Sequence, residues 1–257
     1  MIYQAKSYIR FLRLSKNKHG VHSPFVYNLT TQCFNDKTRY KAYTVFKKHR
    51  KALGKDQTAI EIKDFGEGSR IFKGNARKVS EILKVAGLRK KRQRLLYRIT
   101  KYLGCKDILE LGTSLGLGSV ALALSDRRNT IHTVEGCPNT LKKAEEYFKK
   151  CDILNVETHQ ELFSEYLSKL TTETFDLVFI DGDHNGERTY HYFESLLQHV
   201  HNDTLLIFDD IYWSQHMTKA WNNIIAHPKV TVSIDTFHWG LVFFRKEQQK
   251  QHFIIRV

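Results

Sequence analysis

From residue 107 onward, short apolar runs alternate with helical stretches, and this alternation restricts the chain to few architectures. The runs read as strands at 107–111 (DILEL), 130–135 (TIHTVE), 154–158 (LNVET), 176–181 (DLVFID), 204–209 (TLLIFD), 229–235 (KVTVSID) and 240–245 (GLVFFR). Between them lie segments such as LKKAEEYFKKC, where Leu141, Ala144, Tyr147 and Phe148 recur at helical spacing. Strand and helix in turn predict a mostly parallel sheet covered on both faces. Only FHW separates the last two strands before Gly240, too little for a crossover helix, so they are expected to pair antiparallel at the end of a seven-stranded sheet.

Residues 1–100 read differently. Helical stretches at 3–14, 24–35 and 76–103 surround a polar insert, KDQTAIEIKDFGEGSRIFKG, expected to form a small hairpin or a lid. Net charge over this third is +19 against +14 for the whole chain, leaving −5 for residues 101–257. The division predicts a basic helical extension, 1–100, and a catalytic body, 101–257. A basic extension gives weak, salt-sensitive affinity for polyanions. At 257 residues and 41% hydrophobic content, the chain has enough apolar mass for a full core. No run approaches the roughly 20 apolar residues of a membrane span. Cys33, Cys105, Cys137 and Cys151 lack CxxC or CxH spacing, which points away from zinc and disulfides and towards a reducing, cytoplasmic setting. A homodimer is compatible with all of this.

The stretch ILELGTSLGLGSVALAL, 108–124, runs strand, glycine turn, helix. Gly112, Gly116 and Gly118 let the backbone turn sharply beside a ligand, and Thr113 and Ser119 offer hydroxyls there. Glu110 ends the strand. A nucleoside ligand also needs an acid closing the next strand to hold ribose hydroxyls, and Glu135 stands there. The stretch IKDFGEGSRI, 62–71, also pairs acids with glycines, but a helical pattern follows it, so it reads as a loop. A short-chain dehydrogenase would need a YxxxK pair after the glycine turn. Such pairs, Tyr43 with Lys47 and Tyr97 with Lys101 among them, precede it.

With these residues the chain resembles the class I S-adenosylmethionine-dependent methyltransferases over about 107–245. The resemblance implies a Rossmann-like α/β fold, with Glu110, Gly112, Gly116 and Gly118 cradling the methionine end, Glu135 on the ribose, and His159 and Gln160 near adenine. FDLVFIDGDHN, 175–185, with LLIFDDIYWS, 205–214, is similar to the divalent-metal O-methyltransferases of the catechol, caffeoyl-CoA and macrocin types. That likeness implies Mg²⁺ held by Asp181, Asp209 and Asp210, with Asp181 also near the cofactor. Convergence of three carboxylates at one rim of the sheet calls for a hard cation on electrostatic grounds as well. Either His184 or Asp183 is expected to be the base that takes the acceptor's proton.

The expected reaction is O-methylation of a small or sugar-like acceptor. Two other readings stand beside it: methylation of RNA or another polyanion through the basic third, and a non-catalytic nucleic-acid or membrane-surface binder. No NPPY-like motif follows the fourth strand to hold a base amine. HGVHSPF, 19–25, is either part of a lid or a helix cap, and Tyr212, Trp213 and Trp239 are either acceptor-pocket walls or core.

Overall fold

The structure, a computed structural model, describes residues 2–16, 20–66 and 74–257. In chain order its helices are α1 (Ile2–Leu14), α2 (Pro24–Asn28), α3 (Ala42–Lys55), α4 (Val79–Val85), α5 (Lys90–Leu103), α6 (Leu117–Ala123), α7 (Pro138–Lys150), α8 (Phe163–Lys169), α9 (Gly186–Leu196) and α10 (Gln215–Ala226). The strands are β1 (Ala59–Glu61), β2 (Ala76–Lys78), β3 (Asp107–Leu111), β4 (Thr130–Val134), β5 (Val156–His159), β6 (Phe175–Ile180), β7 (Val200–Asp209), β8 (Val232–Asp235), β9 (Trp239–Phe243) and β10 (Gln251–Ile254). Strands β3 to β10 form one mostly parallel, eight-stranded sheet of the Rossmann-like type. The chain divides into two compact units, Lys37–Tyr166 and a unit of Met1–Asp36 with Leu167–Val257.

In the unit Lys37–Tyr166, β3, β4 and β5 pair in parallel, Ile108 opposite Ile131 and Ile131 opposite Val156. The four inner residues of β3 are buried, as expected of a parallel strand covered on both faces. Helix α7 buries Leu141, Ala144, Tyr147 and Phe148, the stripe its spacing predicts. Within the polar insert Ala59–Glu61 forms β1, which pairs antiparallel with β2 just beyond it, Ala59 opposite Lys78 and Glu61 opposite Ala76. The loop expected at 62–71 lies outside the described residues beyond Gly66. Residues 76–103, expected as one helix, are instead β2, α4 and α5. The break falls at Gly87, where a Cβ would come within 2.5 Å of the Leu83 carbonyl oxygen.

In the other unit the strand order is β10-β8-β9-β7-β6. Strand β9 runs antiparallel to both β7 and β8, the hairpin the short FHW linker required. The sheet gains an eighth strand beyond the seven expected: β10 pairs in parallel with β8, His252 opposite Ser233. Its four residues show no apolar alternation, with two exposed and two half-buried, which is why the pattern misses it. Lys16 N–H donates to the Ile254 carbonyl at 2.8 Å, and Arg256 N–H returns the bond to the Lys16 carbonyl at 3.3 Å.

Helix α1 buries Phe11, whose ring lies 5.6 Å from that of Phe237. Ser23 caps α2, accepting from Val26 N–H, with Pro24 in the first turn, so within HGVHSPF a serine holds the cap; His19 lies outside the described residues. Helix α2 passes into a π-helical turn over Leu29–Phe34, where Thr30 Oγ1 donates back to the Val26 carbonyl at 2.7 Å. Among the described residues, no helix is long and apolar enough to cross a membrane.

Candidate functional site

After β3 the backbone enters conformations that glycine takes cheaply, with φ of 112° at Gly112 and 72° at Gly116. The N–H groups of Gly112 and Thr113 donate to the Val134 carbonyl at 2.9 and 3.3 Å, lacing the turn to the end of β4. A Cβ on Gly116 would come within 2.4 Å of Phe148 Cε1, so this glycine also lets α7 close against the turn. Gly118 and Ser119 are buried within α6.

Glu110 is only 1% exposed. Its Oε2 accepts a short hydrogen bond from Ser119 Oγ and another from Thr133 Oγ1 at 2.7 Å, and Thr133 Oγ1 lies 2.6 Å from Thr113 Oγ1. Burial pushes the Glu110 carboxyl up to about 7; the two hydroxyl donors oppose that rise, and the charge of Glu135 adds to it. The resulting network is a polar floor beneath the glycine turn.

Glu135 follows β4. One carboxylate oxygen accepts from Ser114 N–H and the other from Cys137 N–H, both at 2.9 Å. Burial raises its pKa, against the pull of these backbone donors. The hairpin insert reaches this corner: Asn139 Nδ2 donates to the Glu61 carbonyl at 2.8 Å, and Lys63 N–H to Cys137 Sγ at 3.4 Å. Phe65, half-exposed, lies over Gly136, where a Cβ would stand 2.8 Å from Phe65 Cδ2 and 3.3 Å from Leu162 Cδ2. Phe65 borders the Glu135 corner, and sequence reasoning missed it because it belongs to the polar insert and no periodicity marks it. The His159 carbonyl accepts from Glu135 N–H at 3.0 Å, while the His159 ring faces Tyr166 (4.8 Å) and His132. Gln160 is exposed.

In the other unit, Asp181 follows β6 and Asp209 closes β7. Asp181, His184 and Asp209 each offer a donor atom, and these three atoms lie within 4.8 Å of one another. Asp209 is 6% exposed, and its Oδ1 accepts from Trp239 Nε1 at 2.6 Å. The loop after Asp181 doubles back through left-handed backbone at Asp183 (φ 66°) and His184 (φ 49°), with His184 N–H donating to the Gly182 carbonyl at 2.7 Å. That turn returns His184 towards Asp181. Asp183 is gripped by the Arg188 guanidinium, with Nε at 2.6 Å, and by the Tyr192 hydroxyl at 2.8 Å.

Asp210, also left-handed at φ 49°, stands outside the group of three; its Oδ1 is 3.8 Å from His238 Nδ1. His238 is a second residue the sequence reading did not reach. Of the three aromatics, Trp239 is buried on Asp209, Tyr212 donates its hydroxyl to buried Asp235, and the Trp213 ring lies 5.6 Å from that of His184.

A family profile described as a methyltransferase domain matches residues 109–211. No curated protein matches the chain. Among solved structures, a Podospora anserina methyltransferase with bound S-adenosylhomocysteine superimposes with a TM-score of 0.61 at 15% identity, over 88% of this chain and 97% of that one. An O-methyltransferase of tomaymycin synthesis from Streptomyces achromogenes, in complex with S-adenosylmethionine, gives 0.58 at 15% identity, over 81% and 91%. An O-methyltransferase from Bacillus cereus, in complex with S-adenosylhomocysteine, gives 0.57 at 16% identity, over 80% and 92%.

Proposed function

We propose that residues 109–211, which match a methyltransferase-domain profile, form a class I, S-adenosylmethionine-dependent domain, and that the protein methylates a hydroxyl of a small or sugar-like acceptor with the help of a divalent cation at Asp181, His184 and Asp209. The carrying observation is the convergence of those three donor atoms within 4.8 Å. Two carboxylates held this close repel each other, and a cation between them offsets that repulsion. An imidazole beside two carboxylates widens the choice from Mg²⁺ to Mn²⁺ and its neighbours.

S-adenosylmethionine, when bound, supplies an electrophilic methyl on a sulfonium. The chain's own residues do the rest. The floor under Gly112, Thr113, Gly116, Gly118 and Ser119 receives the methionine end, with Glu110 as the buried countercharge to its ammonium. Both Glu135 oxygens keep a lone pair for ribose hydroxyls after taking one backbone N–H each. Phe65 and Leu162 give the base an apolar wall, with Gln160 beside it. Asp181, His184 and Asp209 would hold a cation, which would supply Lewis acidity to the acceptor hydroxyl, and the pair Asp210 with His238 stands to receive the proton. Asp183, spent on Arg188 and Tyr192, fixes the loop that carries His184 and acts by positioning.

Calorimetric titration with S-adenosylmethionine and S-adenosylhomocysteine, with and without Mg²⁺ or Mn²⁺, tests this directly. Absence of cofactor binding would remove the reading. Cofactor binding with no cation response, unchanged by Asp181→Asn with Asp209→Asn, would reduce it to a metal-free methyltransferase. A second reading, an anionic acceptor, rests on α1: Lys6, Ile9, Arg10, Arg13 and Leu14 line a groove, and no acidic residue occurs from 2 to 16. Methyl transfer to RNA that falls steeply with salt would favour it.

A further inference from the structure

We propose a second metal site, for Zn²⁺ or a similar transition-metal ion, at the outer edge of the sheet, formed by His132 of β4 with Glu157 and His159 of β5. It is independent of the methyl-transfer reading. In the parallel pairing His132 stands opposite Glu157, and Val134 opposite His159. Side chains two apart on a strand share a face, so all three project to the same side. The intervening Thr158 points the other way, donating to Glu145 of α7 at 2.6 Å. The trio therefore faces away from α7, on the last strand of the run β3-β4-β5.

Two of the three donor separations match a tetrahedral cation. His132 Nδ1 lies 3.3 Å from His159 Nε2 and 3.3 Å from Glu157 Oε2, and the three donor atoms fall within 4.8 Å of one another. A Zn²⁺ ion with nitrogen and oxygen ligands at about 2.0–2.1 Å sets neighbouring donors about 3.3–3.4 Å apart. A proton serves this cluster less well. His132 Nδ1 carries at most one hydrogen, which satisfies either His159 or Glu157, whereas a cation takes a lone pair from each.

Two imidazoles and one carboxylate select Zn²⁺, Co²⁺ or Ni²⁺ over Mg²⁺ and Ca²⁺, and three protein ligands leave a fourth position to water. The Glu157 side chain is 62% exposed, which gives the ion a path in. Because the His159 carbonyl holds Glu135 N–H at 3.0 Å, a loaded site clips the edge strand beside the carboxylate proposed to bind ribose.

The test uses the full chain and Co²⁺, whose visible absorption marks tetrahedral coordination, with Zn²⁺ as competitor. Wild type is compared with His132→Gln, Glu157→Gln and His184→Ala, the last removing the nitrogen donor of the other cluster. The tetrahedral signal should appear in wild type and in His184→Ala, weaken more than about 100-fold in affinity in His132→Gln, and weaken at least about tenfold in Glu157→Gln. Zn²⁺ should raise the melting temperature of wild type and not of His132→Gln. Glu157 is at the surface, so its replacement leaves folding intact. Unchanged affinity in Glu157→Gln overturns the site, as does a signal lost in His184→Ala but kept in His132→Gln, or no tetrahedral signal at all.

Discussion

The glycine-turn corner and the aspartate cluster are both built from acids at strand ends, yet they are stabilised in opposite ways. At the turn every acid is already answered by the chain: Glu110 by two hydroxyls, Glu135 by two backbone N–H groups. This corner is preorganised and needs no ion to exist. The aspartate cluster sits on left-handed backbone at three non-glycine residues, Asp183, His184 and Asp210. Each such residue costs about 1–3 kcal/mol, strain that surrounding contacts such as Arg188 on Asp183 must hold in place. The glycine-turn corner strains one non-glycine residue, Ser114 (φ 48°), against three in the aspartate cluster, so the difference is one of degree. The corner proposed for a nucleoside is the more finished, and the cluster proposed for a cation holds more of its backbone under tension.

The comparison can be broken most sharply at Asp209. Asp209→Ala removes a proposed cation donor and strands the buried Trp239 N–H, so turnover should fall about 1000-fold, while S-adenosylhomocysteine affinity stays within about threefold. An equal loss of cofactor affinity, read by calorimetry, would mean the two regions are not separable.

Glu110 gives the next largest effect, and it depends on pH. Its folded pKa, about 7, lies above the ordinary 4.5, so folding favours the protonated form. The stabilisation is complete below about pH 4.5 and is lost as pH rises through 7. Glu110→Gln should therefore be more stable than wild type by up to about 3 kcal/mol above pH 8, with the gap closing below pH 5. Denaturant melts across that range check it; a gap that widens on acidification contradicts the burial argument.

Smaller effects sharpen the cofactor side. Glu135→Gln should weaken S-adenosylhomocysteine binding about 30-fold, the worth of charge-assisted hydrogen bonds to a diol. Phe65→Ala should cost about fivefold in the same titration and leave cation affinity untouched. A Phe65→Ala variant with unaltered nucleoside affinity would assign that ring to packing over Gly136 alone.

Much of this was legible in the sequence because burial on both faces of a parallel sheet writes continuous apolar runs. DILEL and DLVFID announced β3 and β6, and the short FHW linker forced β9 to reverse. Glu110 and Glu135 were legible because a strand end fixes where an acid must stand. The aspartate cluster was legible only in part. Asp209 and Asp210 look like a pair, but neighbouring residues on a strand project to opposite faces, and the left-handed turn at Asp210 carries its carboxylate to His238. His184 joins Asp181 through a tight loop whose φ values no periodicity encodes. Phe65 and β10 escaped for a related reason: one side chain and four unpatterned residues owe their places to tertiary contact.

Strand β10 has a practical consequence. It occupies the hydrogen-bonding edge of β8, whose four residues are all buried, and it anchors Lys16 next to α1. A truncation at residue 250 would bare a row of amides and carbonyls flanked by Val232 and Ile234, a template onto which a second molecule can add a strand. Such a shortened protein should self-associate as its concentration rises, so light scattering on the 1–250 fragment would reveal how far solubility depends on those last seven residues.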